Sequence, residues 1–307
     1  MGWRKLGMVY APTGQLPWAR TNAAFPTADL RAPDTLRIYV TSLDEQMFGR
    51  GGYVDVDPAD PTRVIAVSQE PVLDIGPIGD FDDAGANPFA VIDFRGRKLM
   101  YYQGWQRTLR APLQIFTGLA YERSDGRFEK WARVPVLERT HGEPHIRGAP
   151  CLIRDGDRLL LWYVASSCWT PREGQLYYHV VIRHAVSTDG VSWDVHPDIC
   201  LEPSSGEYAV GRPWVIRHGD GFRMWYSIRS FEQPYRLGYA ESSDGVAWTR
   251  RDDQVGIGRS AAGWDSEMIC FPNIVRVGDR LLMFYNGNRH GASGFGCAEW
   301  SEEPTPA

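Results

Sequence analysis

Nothing in the 307-residue chain approaches the roughly 20 consecutive apolar residues of a membrane-spanning helix, so no membrane partner is expected. The opening MGWRKLGMVYAPTG has neither an apolar core of about 7–15 residues nor a small-residue cleavage site, and it does not read as a secretory leader. Cysteine is scarce. Cys151, Cys168, Cys200, Cys270 and Cys297 are odd in number and widely spaced, with no CxxC pair and no zinc-like Cys/His spacing. Free thiols in the cytoplasm are the plain reading. An excess of basic charge is also missing: 33 Lys+Arg against 38 Asp+Glu give a net charge of −5, so nucleic acid is not an expected partner. There is no GxSxG elbow. GASGFG near the C-terminus lies between strands rather than between a strand and a helix, so it is no dinucleotide loop. His141 and His145 are four apart, but Pro144 stands between them. Neither a metal nor any other cofactor is expected.

What is abundant points to short strands. Gly at 32 and Pro at 21 exceed their usual shares of roughly 7% and 5%, and Trp 12, Tyr 14 and Phe 12 make the chain rich in aromatics. Five prolines sit in matching contexts, at Pro26, Pro88, Pro150, Pro213 and Pro272, spaced 62, 62, 63 and 59 apart. Each opens a short apolar strand, then a Gly turn, then a second strand rich in Leu, Met and aromatics. In those second strands Val40, Tyr102, Tyr163, Tyr226 and Tyr285 fall in register. Third strands end at Asp125-Gly126, Asp189-Gly190 and Asp244-Gly245, tight-turn dipeptides, and Trp131, Trp193 and Trp248 follow. Two independent marks sharing one period of about sixty residues predict four antiparallel strands per unit and five units. The expected fold is therefore all-β, a five-bladed β-propeller in one domain spanning 1–307. Its blades lie roughly at 20–70, 80–135, 143–200, 207–255 and 265–300, with the N-terminal segment closing the ring.

In such a fold the loops leading into the innermost strands converge at one mouth, so the residues before each proline are candidates. The lead-ins hold Asn22; Asp82 and Asp83; Glu143, His145 and Arg147; Glu207 and Arg212; and Asp265 with Glu267. Crowded carboxylates raise one another's pKa, which lets one act as acid while another stays ionised. Arginine grips a carboxylate or phosphate. The second strands end near the same mouth with Trp105, Trp169, Arg229, Asn286, Asn288 and His290. Trp105 and Trp169 offer flat faces for sugar rings, while the amides and arginines suit hydroxyls. The repeating tyrosines are read as blade packing. Asp83, Glu143, Arg212 and Glu267, from four different units, are expected to face one shared central pocket.

The blade motifs RHAVSTDGVSW and LGYAESSDGVAW, the X-Pro inner strands and GDRLLMFYNGN resemble the five-bladed propeller glycoside hydrolases and their relatives, the group around families 32, 43, 62, 68 and 130. A closer likeness, carried by PVLDIGPIGDFDDAGANP, YNGNRHGASGFG and GWDSEM, is to a branch found with surface-polysaccharide and sugar-nucleotide genes. The resemblance implies an Asp before the first inner strand as base or nucleophile, a second-blade Asp that tunes pKa, and a third-blade Glu as acid. By register Asp83 matches the second and Glu143 is nearest the third. Thr21 and Asn22 stand where the first belongs, so the base would have to come from Glu207, Asp265 or Glu267.

Three readings stay open. The first is an enzyme acting on a glycosidic or sugar-nucleotide bond through carboxylate acid/base chemistry. The second is a propeller that binds a sugar or nucleotide without turnover. The third is non-hydrolytic chemistry (elimination, cyclisation or group transfer) on a small polar metabolite. All three take a small-molecule, sugar-like partner. The number of lead-in carboxylates favours catalysis, and Thr21 with Asn22 favours the other two. On the first reading a carboxyl separation of about 5–5.5 Å suits retention and roughly 6.5–9.5 Å inversion. Glu143→Gln and Glu267→Gln should then each lower the rate by about 10²–10⁴, checked by a product-resolved assay over sugar nucleotides and aryl glycosides.

Overall fold

The computed structural model describes residues 2–301, and these are almost wholly β-strand. After β1 (Gly2–Tyr10) the strands come in antiparallel groups. The first is β2 (Thr21–Ala32), β3 (Thr35–Leu43), β4 (Gly49–Val56) and β5 (Val64–Val67). The second is β6 (Gly85–Phe94), β7 (Arg97–Arg107), β8 (Leu113–Glu122) and β9 (Phe128–Lys130). The third is β10 (Ile146–Asp155), β11 (Arg158–Arg172), β12 (Gln175–Ser187) and β13 (Asp194–Leu201). The fourth is β14 (Glu207–His218), β15 (Gly221–Ser230), β16 (Arg236–Ser242) and β17 (Thr249–Arg250). The last is β18 (Cys270–Val277), β19 (Arg280–Asn286) and β20 (Phe295–Ser301), against which β1 pairs antiparallel as the fourth strand.

The turn chemistry follows the dipeptides. Gly126, Gly190 and Gly245 all have φ of 80°, which a residue without Cβ adopts freely. Asp189 and Asp244 each accept two backbone N–H bonds from the turn that follows, and those bonds hold both carboxyls below the usual range against the opposing cost of burial.

The recurring prolines mark a repeated irregularity. In every first strand the ladder slips at the proline, between Ala24 and Thr27, Pro88 and Ala90, Gly148 and Cys151, Gly211 and Trp214, and Cys270 and Asn273. In four of them the preceding residue is left-handed: Phe25 at φ 57°, Ala149 and Arg212 at 48°, Phe271 at 58°. A bulge of this kind bends the strand and re-aims a side chain, at a strain cost of about 1–3 kcal/mol each.

Side chains of neighbouring groups hold these bulges. Gln103 Oε1 accepts the Ala149 N–H (3.1 Å), Ser227 Oγ that of Phe271 (2.8 Å) and Asn286 Oδ1 that of Phe25 (2.8 Å). Each acceptor is the residue directly after a register tyrosine. Parallel backbone pairing links consecutive groups at Gly49–Gly85, at Ile146–Ile115 and at Val180–Ala209. No ladder joins β18 to β2; there Asn286 and Asn273 make the link, the latter accepting the Ala28 N–H at 3.1 Å.

The core is distributed through the spaces between groups rather than gathered in one centre. One cluster is built around Trp162, Met224 and Tyr226, another around Trp3, Trp225 and Tyr285. Among the described residues no helix is long and apolar enough to cross a membrane.

Asn286 is fully buried, and its amide also donates to Ala23 O (2.8 Å) and Gly294 O (2.9 Å). Asn286→Ala should cost about 2–4 kcal/mol, because three bonds go and a buried N–H is left without a partner. A lowered urea midpoint with an unchanged m-value is the expected readout.

Candidate functional site

The first strands start, the second strands end and the third strands begin at the same end of the molecule. Together they enclose a cavity of about 310 Å³ to which every group contributes. Its wall is mostly apolar, with Phe25, Phe89 and Phe271 from the bulged strands, and Ile115, Val164 and Val180 beside them. Polar atoms come from Asn22, Thr41, Asn87, Gln103, Tyr178, Tyr235, Arg212, Arg229 and His290. The Trp105 indole lies over Gly85, where a Cβ would collide with its nitrogen, so that glycine makes room for the ring. Among the described residues no carboxylate lines the cavity.

Of the sequence candidates, Asn22, Trp105, Arg212, Arg229 and His290 meet here. The expectation that Asp83, Glu143, Arg212 and Glu267 share the pocket is corrected: only Arg212 lines it. Glu143, like the neighbouring candidates Asp82 and Asp265, is instead held by partners within its own group. Asp82 accepts the Tyr102 hydroxyl (3.0 Å) and pairs with Lys130 (2.6 Å). Glu143 accepts the Tyr163 hydroxyl (3.0 Å) and pairs with Arg147 (2.6 Å) and Arg183 (3.5 Å). Asp265 accepts the Tyr285 hydroxyl (2.9 Å) and pairs with Lys5 (2.6 Å). In the fourth group Tyr226 donates to Asp252 (2.5 Å), and Arg250 joins Asp252 to Glu207. The register tyrosines are thus more than packing. They are the partners of the register carboxylates, and burial, helped by those carboxylates, pushes Tyr102, Tyr226 and Tyr285 far above the usual phenol range.

A sequence signal for this existed and was missed: tyrosine follows carboxylate by 20 residues in Asp82–Tyr102, Glu143–Tyr163 and Asp265–Tyr285. The first group has Arg20 and Val40 at the corresponding places, so it lacks both halves of the pair together.

The remaining candidates sit elsewhere. Asp83 is half-buried and accepts the Gly79 N–H (2.9 Å); Glu267 is exposed, its N–H held by Asn288 Oδ1 (2.8 Å). Neither has a cationic partner among the described residues. His145 is half-buried beside Ile146, and Trp169 packs edge-on against Tyr178 at 5.2 Å on the extended β11–β12 hairpin. Asn286 and Asn288 are structural, bonded to backbone rather than open to the cavity.

Two guanidiniums dominate the cavity's electrostatics. Arg212 is 2% exposed and reaches across the axis to Phe89 O (2.8 Å), Pro26 O (3.1 Å) and Thr27 Oγ1 (2.8 Å), with its charge 4.3 Å over the Phe89 ring. Burial pulls its pKa down to about 9, and it stays charged at neutral pH. Arg229 Nε donates to the Tyr235 hydroxyl, and its plane lies over Tyr178 (4.9 Å) and Tyr235 (4.6 Å). Next to them, the rings of the mouth first and the Arg229 charge second lower His290 to about 4.

No family model matches the chain. It is 33% identical over 299 residues to "Uncharacterized protein Rv1502" of Mycobacterium tuberculosis (strain ATCC 25618 / H37Rv), covering 97% of this chain and 99% of that one. The chain belongs to the family of that mycobacterial protein. Among solved structures it superposes with a TM-score of 0.75 on a "Glycoside hydrolase", at 18% identity over 98% of this chain and 92% of the other. A TM-score of 0.71 at 15% identity, covering 100% and 96%, relates it to a structure titled "The GH130 family of mannoside phosphorylases contains glycoside hydrolases that target beta-1,2 mannosidic linkages in Candida mannan". At these identities the likeness concerns the fold: nearly all β, and matching propeller-like glycoside hydrolases.

Two outcomes follow. Glu143→Gln should lower stability by about 3 kcal/mol or more, because Arg147 is then a buried cation without its anion; chemical unfolding measures this. The His290 ring should titrate near pH 4 by NMR. Between about 4 and 6.5 the unfolded chain then holds a proton that the folded one does not. This group's contribution to stability therefore falls as pH drops through that window, and His290→Asn should remove it.

Proposed function

We propose that the protein is a carbohydrate-directed, single-domain five-bladed propeller whose axial cavity receives a small sugar-type ligand. Five four-stranded antiparallel groups, with β1 completing the last, support the blade count. The observation that carries the functional reading is the cavity itself. In a fold shared with glycoside hydrolases it presents one flat indole, Trp105, together with the amides of Asn22, Asn87 and Gln103 and the guanidinium of Arg229. Flat apolar faces suit the C–H faces of a sugar ring, and a few converging polar groups orient its hydroxyls. A volume of about 310 Å³ is at the small end of the roughly 300–1,000 Å³ of ligand sites, and fits one ring better than a nucleoside diphosphate sugar. With no carboxylate in its wall among the described residues, the cavity favours recognition or non-hydrolytic chemistry over hydrolysis by a carboxylate pair. A role in cytoplasmic sugar or surface-polysaccharide biosynthesis is part of this proposal, supported by the motif resemblance and by five unpaired cysteines, four of them buried.

One observation favours a second reading, cleavage or transfer of a glycosidic or sugar-nucleotide bond. Asp83 and Glu267 make no ion pair among the described residues, so they, rather than the tied Glu143, Glu207 or Asp265, are free to serve as acid and base.

Ligand-observed NMR with a monosaccharide panel tests the first reading: Trp105→Ala should weaken binding about tenfold, while Asp83→Asn and Glu267→Gln leave it within a few-fold. Turnover of aryl glycosides or sugar nucleotides that drops about 10²–10⁴ in Asp83→Asn or Glu267→Gln would instead establish the second.

A further inference from the structure

The latch that joins one group's second strand to the next group's bulge is made at three seams and absent at two, one of which has the apolar Val164 after the register tyrosine. At the other, in the first group, the residue after the register position is Thr41, and the residue before the proline of the facing strand, Asn87, is not left-handed. Thr41 Oγ1 and Asn87 Oδ1 are both buried, both belong to residues lining the cavity, and neither has a hydrogen-bond partner among the described residues. Buried polar atoms without partners cost about 1–3 kcal/mol each, which a ligand's hydroxyls would relieve.

The same cavity carries the Arg212 and Arg229 guanidiniums and, among the described residues, no carboxylate. Arg212 Nε is buried without a partner, and neither arginine forms an ion pair among the described residues. The terminal nitrogens of Arg229 make no hydrogen bond to a described residue, whereas its Nε and ring faces are fixed by Tyr235 and Tyr178. A guanidinium held by its stem, with its two-pronged end open, is poised for a planar or tetrahedral oxyanion. A cavity with two cations and no anion among the described residues repels cationic ligands and favours an anionic one.

We infer that the ligand is an acidic sugar: a single ring whose hydroxyls bond Thr41 and Asn87 and whose covalently attached anionic group, carboxylate or phosphate ester, is gripped by Arg229 with Arg212 beneath it. The inference rests on the sugar-type reading of the cavity and adds the charge. Neighbouring His290 gives an independent readout, since an anion that neutralises the Arg229 field would ease protonation of the imidazole.

Calorimetric titration should compare hexuronates, hexose phosphates, the matching neutral hexoses, inorganic phosphate and malonate. At least one hexuronate or hexose phosphate should bind ten times or more tighter than its neutral counterpart, and which class wins identifies the anion. Arg229→Gln should abolish that preference, Arg229→Lys should restore part of it, and the His290 titration should move upward when the ligand is bound. Thr41→Val should weaken binding while leaving the free protein as stable as before or more so, an outcome a purely structural role does not give. Neutral hexoses binding as well as acidic ones would overturn the charge and leave the sugar reading intact. Arg229-dependent binding of malonate and phosphate with no sugar bound would leave the anion site and overturn the sugar. Inorganic phosphate binding as tightly as a hexose phosphate would overturn the attachment of the charge to the ring. Binding by no anion of any kind would overturn the inference outright.

Discussion

The backbone amide of the residue before each recurring proline is where this structure is decided. The proline forces a slip in the first strand, and in four groups the preceding residue is pushed into the left-handed region. Such a residue persists only where its surroundings over-determine it. For three of the four, Gln103, Ser227 and Asn286 do so from the neighbouring group by taking that N–H as a buried acceptor, and Arg212 is held by its own guanidinium's bonds to Phe89, Pro26 and Thr27. One bond therefore fixes a strained residue, ties two groups together and aims a side chain at the axis. Between β18 and β2, where no ladder forms, the Asn286 and Asn273 amides carry the link. The cavity wall inherits its rigidity from the same contacts.

Charge is sorted between the cavity and its surroundings. Asp82, Glu143 and Asp265 of the lead-in loops are each held by a tyrosine and a cation of their own group, as in Asp82–Tyr102–Lys130 and Asp265–Tyr285–Lys5. Guanidiniums face inward, with Arg212 crossing the axis to carbonyls of two other groups. Carbonyl oxygens and the Phe89 face solvate that cation without cancelling it. A mildly acidic protein thus encloses a positive interior, so its net charge of −5 says nothing about what its cavity attracts.

The cavity's chemistry follows from the first-to-second seam, where a polar side chain is present at the latch position but makes no latch. Where Gln103, Ser227 and Asn286 are spent on a bulge, Thr41 and Asn87 keep their polar atoms unspent. Beside them Gly85 yields its volume to the Trp105 ring. Regularity builds the container, and the irregular seam gives it selective atoms.

Strand content, the sixty-residue period and the Asp-Gly turns could be read from the sequence because each depends on neighbours along the chain: alternation, a proline, a glycine free to take φ near 80°. Convergence of Asn22, Trp105, Arg212, Arg229 and His290 at one mouth was legible for the same reason, since register alone brings strand ends together. The fate of the carboxylates was not. Asp83, Glu143, Glu207, Asp265 and Glu267 all sit in the lead-ins to the first strands, yet a position on a loop does not say which way a side chain turns. That choice depends on partners far away in the chain, such as Lys5, 260 residues before Asp265, or Arg183 on the third strand beside Glu143. A buried carboxylate goes where a cation and a hydroxyl can replace its water, and only the folded arrangement of strands puts them within reach.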